Sequence, residues 1–297
     1  MKKIVYVTGM FRSGTTLMGK CLNSHTKIAF ALDPMLEVFR EVRNQVYPVW
    51  QPTALFSHLI HDYSKCNFKK LTLSKHNLSN VKHRMIKNIQ QFSPKLCNEI
   101  EKTDFYQSNI YELIKEVLYL IDDTYGKNKK SQYIGFKEVW GEEFGPAMIY
   151  NFPETKIIHI IRNPRAVVAS SLAQRKDYTM RYLCKFWKKS ATIALDNKNH
   201  NYKIIQYENL INQPYIFLKD ICDFLGLQYD DDMLNYRLPD DKSVYESGAN
   251  SSYEDIKNKV GFRKEAINRW RKILSQEQID EIKELTYPEI SKFGYEE

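Results

Sequence analysis

Eight residues near the start of the chain, Gly9-Met10-Phe11-Arg12-Ser13-Gly14-Thr15-Thr16, combine two glycines, an internal cation and three hydroxyls. Backbone N–H groups of such a loop, joined to the positive end of a following helix, surround an anionic oxygen cluster. A loop that cradles a nucleoside triphosphate continues Gly-Lys-Ser/Thr, and its lysine spans the β- and γ-phosphates. Here Thr15 stands in the lysine's place and the nearest cation is Arg12, which fits a shorter anion, one phosphate with one further group attached. No strand-like run ends in the Asp that would hold magnesium, because Lys156 to Ile161 runs into Arg162-Asn163-Pro164. The pattern disfavours a magnesium-dependent NTPase.

A second constellation lies far downstream. In Ile160-Ile161-Arg162-Asn163-Pro164-Arg165-Ala166-Val167-Val168-Ala169-Ser170, Arg162 leaves a strand tip, Asn163 caps a helix and Pro164 occupies its first position. Ser170 then falls about two turns along that helix, with Ser171 as the adjacent alternative.

Together these residues resemble the sulfotransferases that use 3′-phosphoadenosine 5′-phosphosulfate (PAPS). Arg12-Ser13-Gly14-Thr15-Thr16-Leu17 is similar to that family's 5′-phosphosulfate loop, and Arg162 with Ser170 is similar to its 3′-phosphate site. Two later segments extend the likeness over most of the chain. Ile205-Gln206-Tyr207-Glu208-Asn209-Leu210 resembles the family's Tyr-Glu-Asp-Leu segment, which implies Tyr207 beside the adenine. Ala266 to Ser275 looks like the Trp-Arg-x-x-Leu-Ser ending of carbohydrate-type members, and Arg263 and Lys264 just upstream resemble the basic pair with which cytosolic members reach the 3′-phosphate.

Sulfuryl transfer needs cations on the transferring group and a base near the acceptor hydroxyl, and in principle no metal. Asp33-Pro34-Met35 is similar to the Glu-Pro-Leu of carbohydrate-type members, which makes Asp33 the first candidate for the base and Glu37, one turn on, the second. Asp33 before Pro34 also reads as a helix N-cap, and both readings stand at this point. Lys137 closes a strand-like run, where it either supports the leaving oxygen or pairs with Glu138 or Glu142. His58 and His61 share a helical spacing but lack acidic or Cys partners, so no metal site is expected. Trp187 and Trp270 sit in amphipathic segments and read as core.

The elements that must hold these groups follow from periodicity. Buried strands are expected at Lys3–Thr8, Ile28–Leu32, Tyr133–Glu138, Lys156–Ile161 and Lys203–Tyr207, separated by lengths that fit crossover helices. Helices are expected from Thr15 to Asn23, after Asn163-Pro164, after Pro214 up to Gly226, and after Asn109, whose cap pairs with Glu112. This alternation predicts one α/β domain over 1–297, three-layered and P-loop-like, with a mainly parallel sheet. The polar stretch 48–103 is expected as a helical insertion near the acceptor.

Composition sets the remaining bounds. With 43% hydrophobic positions in 297 residues the chain can bury a core, and no run approaches the length needed to span a bilayer. Gly9 to Gly14 interrupts the first apolar run, so a mature cytoplasmic start is expected. Five cysteines without Cys-x-x-Cys suit reduced thiols. The formal charge of +8 permits an anionic ligand, but its residues are too dispersed for a nucleic-acid surface. The expected activity is therefore transfer of a sulfuryl group from PAPS, leaving PAP, to a hydroxyl on a carbohydrate or small metabolite. A small-molecule P-loop kinase and a non-catalytic nucleotide-binding module are the alternatives.

Overall fold

The structure, a computed structural model, describes residues 2–47, 58–90, 92–127, 130–174, 177–197, 199–235 and 262–296. Five strands form one sheet: β1 (Lys3–Thr8), β2 (Ile28–Leu32), β3 (Tyr133–Glu138), β4 (Lys156–Ile161) and β5 (Tyr202–Gln206). Their order is β2-β3-β1-β4-β5, and every pairing is parallel. Near-continuous apolar runs such as KIVYVT and KIIHII are what a parallel sheet covered on both faces requires.

Alternation along the strands divides the core in two. Tyr6, Ala29, Ala31, Phe136 and Ile157 belong to one apolar cluster, whereas Val5, Val7, Phe30, Ile158 and Ile160 belong to the other. Helix α1 (Thr15–Ser24) buries Met18, Cys21 and Leu22 in the second cluster. The first cluster takes α2 (Leu36–Val46), α3 (Lys75–Ile89), α4 (Pro94–Lys102), α5 (Ile110–Tyr125) and α6 (Gly145–Asn151). It also receives α7 (Pro164–Leu172) and α8 (Met180–Asp196), while α9 (Tyr207–Asn212) and α10 (Pro214–Leu225) return to the second.

The expected caps are present. The Asn109 side chain accepts the Glu112 N–H, the Asn163 side chain accepts the Arg165 N–H, and Gly226 ends α10 with φ 68°. Two expectations shift. The fifth strand ends at Gln206 and Tyr207 opens α9 instead of closing the strand. Asp33 does not cap a helix, because α2 starts at Leu36 and Asp33 itself takes φ 56° in the preceding turn.

In the polar stretch expected as an insertion, 48–57 and residue 91 lie outside the described residues. The rest forms a short 3-10 turn at Phe68–Lys70 followed by α3 and α4. Just beyond α3, the Ser93 Oγ accepts the Leu32 N–H at 2.9 Å and donates to the Leu32 carbonyl at 3.0 Å. One hydroxyl thus occupies backbone groups at the end of β2, a strand that lies at the sheet edge. Trp187 and Trp270 are buried, as their amphipathic settings predicted, and all five cysteines are unpaired thiols. Among the described residues no helix is long and apolar enough to cross a membrane.

Candidate active site

Arg12, Asp33, Lys137, Arg162 and Tyr207 lie at the carboxyl ends of parallel strands or in the turns that follow them, the edge at which open α/β sheets bind ligands. The chain runs from β1 outward to β2, returns through β3, and then crosses to β4 on the other side of β1. The loops after β1 and β4 therefore face one another where the winding reverses.

The first loop is shaped by two glycines. Gly9 has φ 140°, and a Cβ there would lie 2.4 Å from the Ile160 carbonyl oxygen, so the loop presses directly on β4. Gly14 has φ 98°, and a Cβ there would meet the Tyr207 ring at 2.4 Å. Arg12 also takes a positive φ of 69°, a conformation that L-residues adopt rarely. Ser13 and Thr15 are buried beneath the loop, while Thr16 is half-buried.

The two sequence constellations meet. Arg12 Nε donates to Ser170 Oγ at 2.9 Å, across 158 residues of sequence. Arg162 NH1 donates to the Arg12 carbonyl at 2.9 Å and NH2 donates to the Ala266 carbonyl at 2.8 Å. The Arg162 guanidinium also stacks on the Tyr207 ring, 4.3 Å from its centroid, and its buried Nε has no hydrogen-bond partner among the described residues. Ser171 is spent on the Val167 carbonyl at 2.7 Å, so Ser170 is the serine that turns outward.

Tyr207 is 8% exposed, fixed between the Gly14 backbone and Arg162. Burial raises its pKa above the usual phenol value, against the opposing fields of Arg162, Arg12 and Arg263. Arg162 is the arginine in contact with the ring. The Ala266 contact brings the C-terminal segment alongside, with Arg263 half-buried and Lys264 exposed.

The supports behind this half were invisible in the motifs. Glu208 accepts the Asn163 N–H at 3.0 Å with one oxygen and the Tyr295 hydroxyl at 2.6 Å with the other. Trp187 Nε1 donates to the Arg162 carbonyl at 2.8 Å. These bonds fix the backbone on both sides of the strand tip.

The other half gathers around β2 and β3. Lys137 Nζ lies 2.6 Å from Asp33 Oδ2, with both side chains buried. Lys137 therefore pairs with neither Glu138 nor Glu142, the partners suggested by proximity in sequence. The Asp33 N–H donates to the Lys137 carbonyl at 2.9 Å, and Glu138 Oε1 accepts the Met35 N–H. The turn carrying Asp33 is tied at both ends to consecutive residues of β3. Burial, and then the charge of Asp33, hold the Glu138 carboxyl well above the usual carboxylate range, and its Oε2 has no partner among the described residues.

Glu37, the second candidate base, is already engaged. Its carboxylate meets Arg40 NH1 at 2.9 Å and Arg84 Nε at 2.8 Å, and it accepts from Asn88 Nδ2 at 2.5 Å. Both Glu37 oxygens are thus occupied by side-chain donors. His61 approaches Glu143, but among the described residues no group of three or more His, Cys, Asp or Glu is arranged to hold a metal ion.

Comparison with known proteins agrees with this architecture. A family model described as the sulfotransferase family matches residues 5–231. Carbohydrate sulfotransferase 2 of mouse and of human are each 21% identical over 359 residues, covering 99% of this chain and 65% of the relative, so the chain spans about two thirds of their length. Among solved structures, the sulfotransferase domain from the curacin biosynthetic pathway matches with TM-score 0.58 at 16% identity, over 99% of this chain and 98% of that one. Mouse sulfotransferase SULT7A1, solved in complex with PAP, matches with TM-score 0.50 at 13% identity, over 98% and 85% of the two chains.

Proposed function

Since this chain belongs to the sulfotransferase family, we propose that it moves the sulfuryl group of PAPS to a hydroxyl of a carbohydrate or other small molecule, with Asp33 as the base. The reading rests chiefly on one observation, the junction at which Arg12 Nε reaches Ser170 Oγ while Arg162 holds the Arg12 carbonyl. A single phosphate needs one such cluster. Two clusters linked through Arg12 suit a nucleotide with phosphoryl groups at both ends of its ribose, and the SULT7A1 structure that shares this fold contains PAP. Family membership also removes the kinase alternative.

The residues fit that ligand. The buried Arg162 Nε is a charged donor without an acceptor among the described residues, and its NH1 already holds the carbonyl of Arg12 in the loop. The Ser13 N–H closes the loop onto the Met10 carbonyl at 3.1 Å, so the backbone N–H groups of Arg12 and of Gly14 to Thr16 at the start of α1 would hold the 5′ end, and Arg162 with Ser170 would hold the 3′-phosphate. Arg263 and Lys264, on the segment beside Arg162, would add charge at the same end. When bound, PAPS supplies a sulfur whose bond to the phosphate oxygen breaks as the acceptor oxygen bonds to it.

Asp33 takes the proton of the acceptor hydroxyl. Its pairing with Lys137 keeps the carboxylate oriented, and the tie from Glu138 to Met35 keeps the turn from swinging away. Once Asp33 is protonated, the Lys137 charge is no longer cancelled, which favours negative charge developing nearby. The test is Asp33→Asn, with PAP release from PAPS followed across a panel of glycoside acceptors. Turnover should fall by about 10²-fold or more while PAP affinity stays within about threefold of wild type. Unchanged turnover would remove Asp33 from the role of base.

A further inference from the structure

The residues that neutralise Glu37 do more than bury a carboxylate. Helix α3 (KHNLSNVKHRMIKNI) carries Lys75, Lys82, Arg84 and Lys87 and not one acidic residue. Glu41 accepts from Asn77, and Glu37 pairs with Arg84, so the C-terminal half of α3 lies beside the first turn of α2. That turn follows Asp33 directly. Beyond α3, Phe92 lies 5.8 Å from Lys137 Nζ and Ser93 holds Leu32. The basic end of α3 therefore borders the Asp33–Lys137 pair.

Only part of this charge is spent. Lys82 is taken up by the carbonyls of Glu101 and Thr103. Arg84 uses Nε on Glu37, its side chain remains 34% exposed, and it has no other hydrogen-bond or ion-pair partner among the described residues. Arg40 meets the same carboxylate through NH1, and its buried Nε has no acceptor among the described residues. Lys87 is exposed nearby. Glu37 supplies one negative charge against two guanidinium groups, so the cluster stays positive and Arg84 keeps its outer fork. A fork held from behind by a carboxylate is pre-organised to grip a second set of anionic oxygens.

Building on the sulfotransferase reading, we propose that Arg84, oriented by Glu37 and supported by Arg40 and Lys87, is an anion subsite for the acceptor, which carries a carboxylate or phosphate group besides the hydroxyl it offers to Asp33. Arg84 is here a specificity residue and takes no part in moving the proton.

The experiment compares 4-nitrophenyl β-glucoside, its 6-phosphate and 4-nitrophenyl β-glucuronide as acceptors, with PAP release as the readout. The glucuronide and the phosphate arms distinguish carboxylate from phosphate. Wild-type protein should favour at least one charged acceptor by about tenfold in kcat/KM, the scale of one charge-assisted hydrogen bond, and this preference should shrink as salt is raised. Arg84→Ala should bring the ratio to about one with PAP affinity unchanged, and Arg84→Lys should retain only part of it. Should Arg84→Ala fail to fold, the ratio in Arg84→Lys and the salt dependence of the wild type decide. Equal use of charged and neutral acceptors, use of none, or a preference that survives loss of Arg84 would overturn the subsite. Calorimetry with PAP on the same preparations separates the two levels, because loss of PAP binding by the wild type sinks the sulfotransferase reading itself.

Discussion

The two halves of the site hold their cations in opposite ways. Around β1 and β4, Arg162 is gripped by neutral groups, the carbonyls of Arg12 and Ala266 and the face of Tyr207. Around β2 and β3, Lys137 rests on Asp33, and Arg40 and Arg84 rest on Glu37. Neutral partners orient a guanidinium without cancelling its charge, so that charge remains available to a ligand. Carboxylate partners cancel the Lys137 charge and half that of the two arginines, so the Asp33–Lys137 wall where a proton must be taken up is neutral. One side is built to attract phosphates and the other to keep a carboxylate aimed.

The contrast can be broken from either side. The largest effect is expected from Lys137→Met, which leaves Asp33 buried without its partner and should cost about 3 kcal/mol or more of stability, read as a lowered midpoint in urea. A shift under about 0.5 kcal/mol would mean that the pair is solvated and the wall is not neutral. Next comes Arg162→Ala. Its neutral partners predict little loss of stability, but PAP should bind about a hundredfold more weakly, whereas adenosine 5′-phosphosulfate, which lacks the 3′-phosphate, should lose far less. Equal losses for the two nucleotides would detach Arg162 from the 3′ end.

Glu138 gives a pH test of the acceptor wall. Burial raises its pKa well above the ordinary carboxylate value in the folded chain, whereas in the unfolded chain it ionises above about pH 4.5. The folded state then binds the extra proton, so this contribution is full below that pH and declines as pH rises, by up to about 1.4 kcal/mol per unit. Glu138→Gln keeps an oxygen for the Met35 N–H and should flatten the decline in a series of thermal melts. A wild-type profile with no such slope would show that Glu138 ionises freely. The smallest effect belongs to Ser170→Ala, which removes one neutral hydroxyl from Arg12 and should weaken PAP by about fivefold in the same titration.

The difference between the halves also explains what could be read from sequence. The loop at Gly9–Gly14 and the Arg162-to-Ser170 run are local, since a strand, a tight turn and a helix N-terminus fix their groups within a dozen residues. The five strands were legible for a similar reason, because parallel strands buried on both faces are unbroken apolar runs. Tyr207 was displaced by a single residue from strand end to helix start, as the apolar pattern does not mark where a strand turns.

The acceptor half is made of pairs that span long stretches of chain, Lys137 with Asp33 and Arg84 with Glu37. Nothing local distinguishes these from solvated charges. Asp33 before Pro34 carries the local signature of a helix cap, yet the hydrogen bonds from β3 pull its turn into φ 56° and tertiary structure overrides the signal. Glu208 and Glu138 escaped notice because each acts on a backbone N–H of a distant segment, a role that no spacing rule records.

The central claim is that the two linked arginine clusters bind a nucleotide phosphorylated at both ends. Calorimetric titration of the wild-type chain with PAP and with ATP, each with and without magnesium, tests it most directly. The account predicts that PAP binds well, that magnesium leaves its affinity unchanged, and that ATP binds far more weakly. Magnesium-dependent binding of ATP as tight as that of PAP, or no binding of PAP, would contradict it.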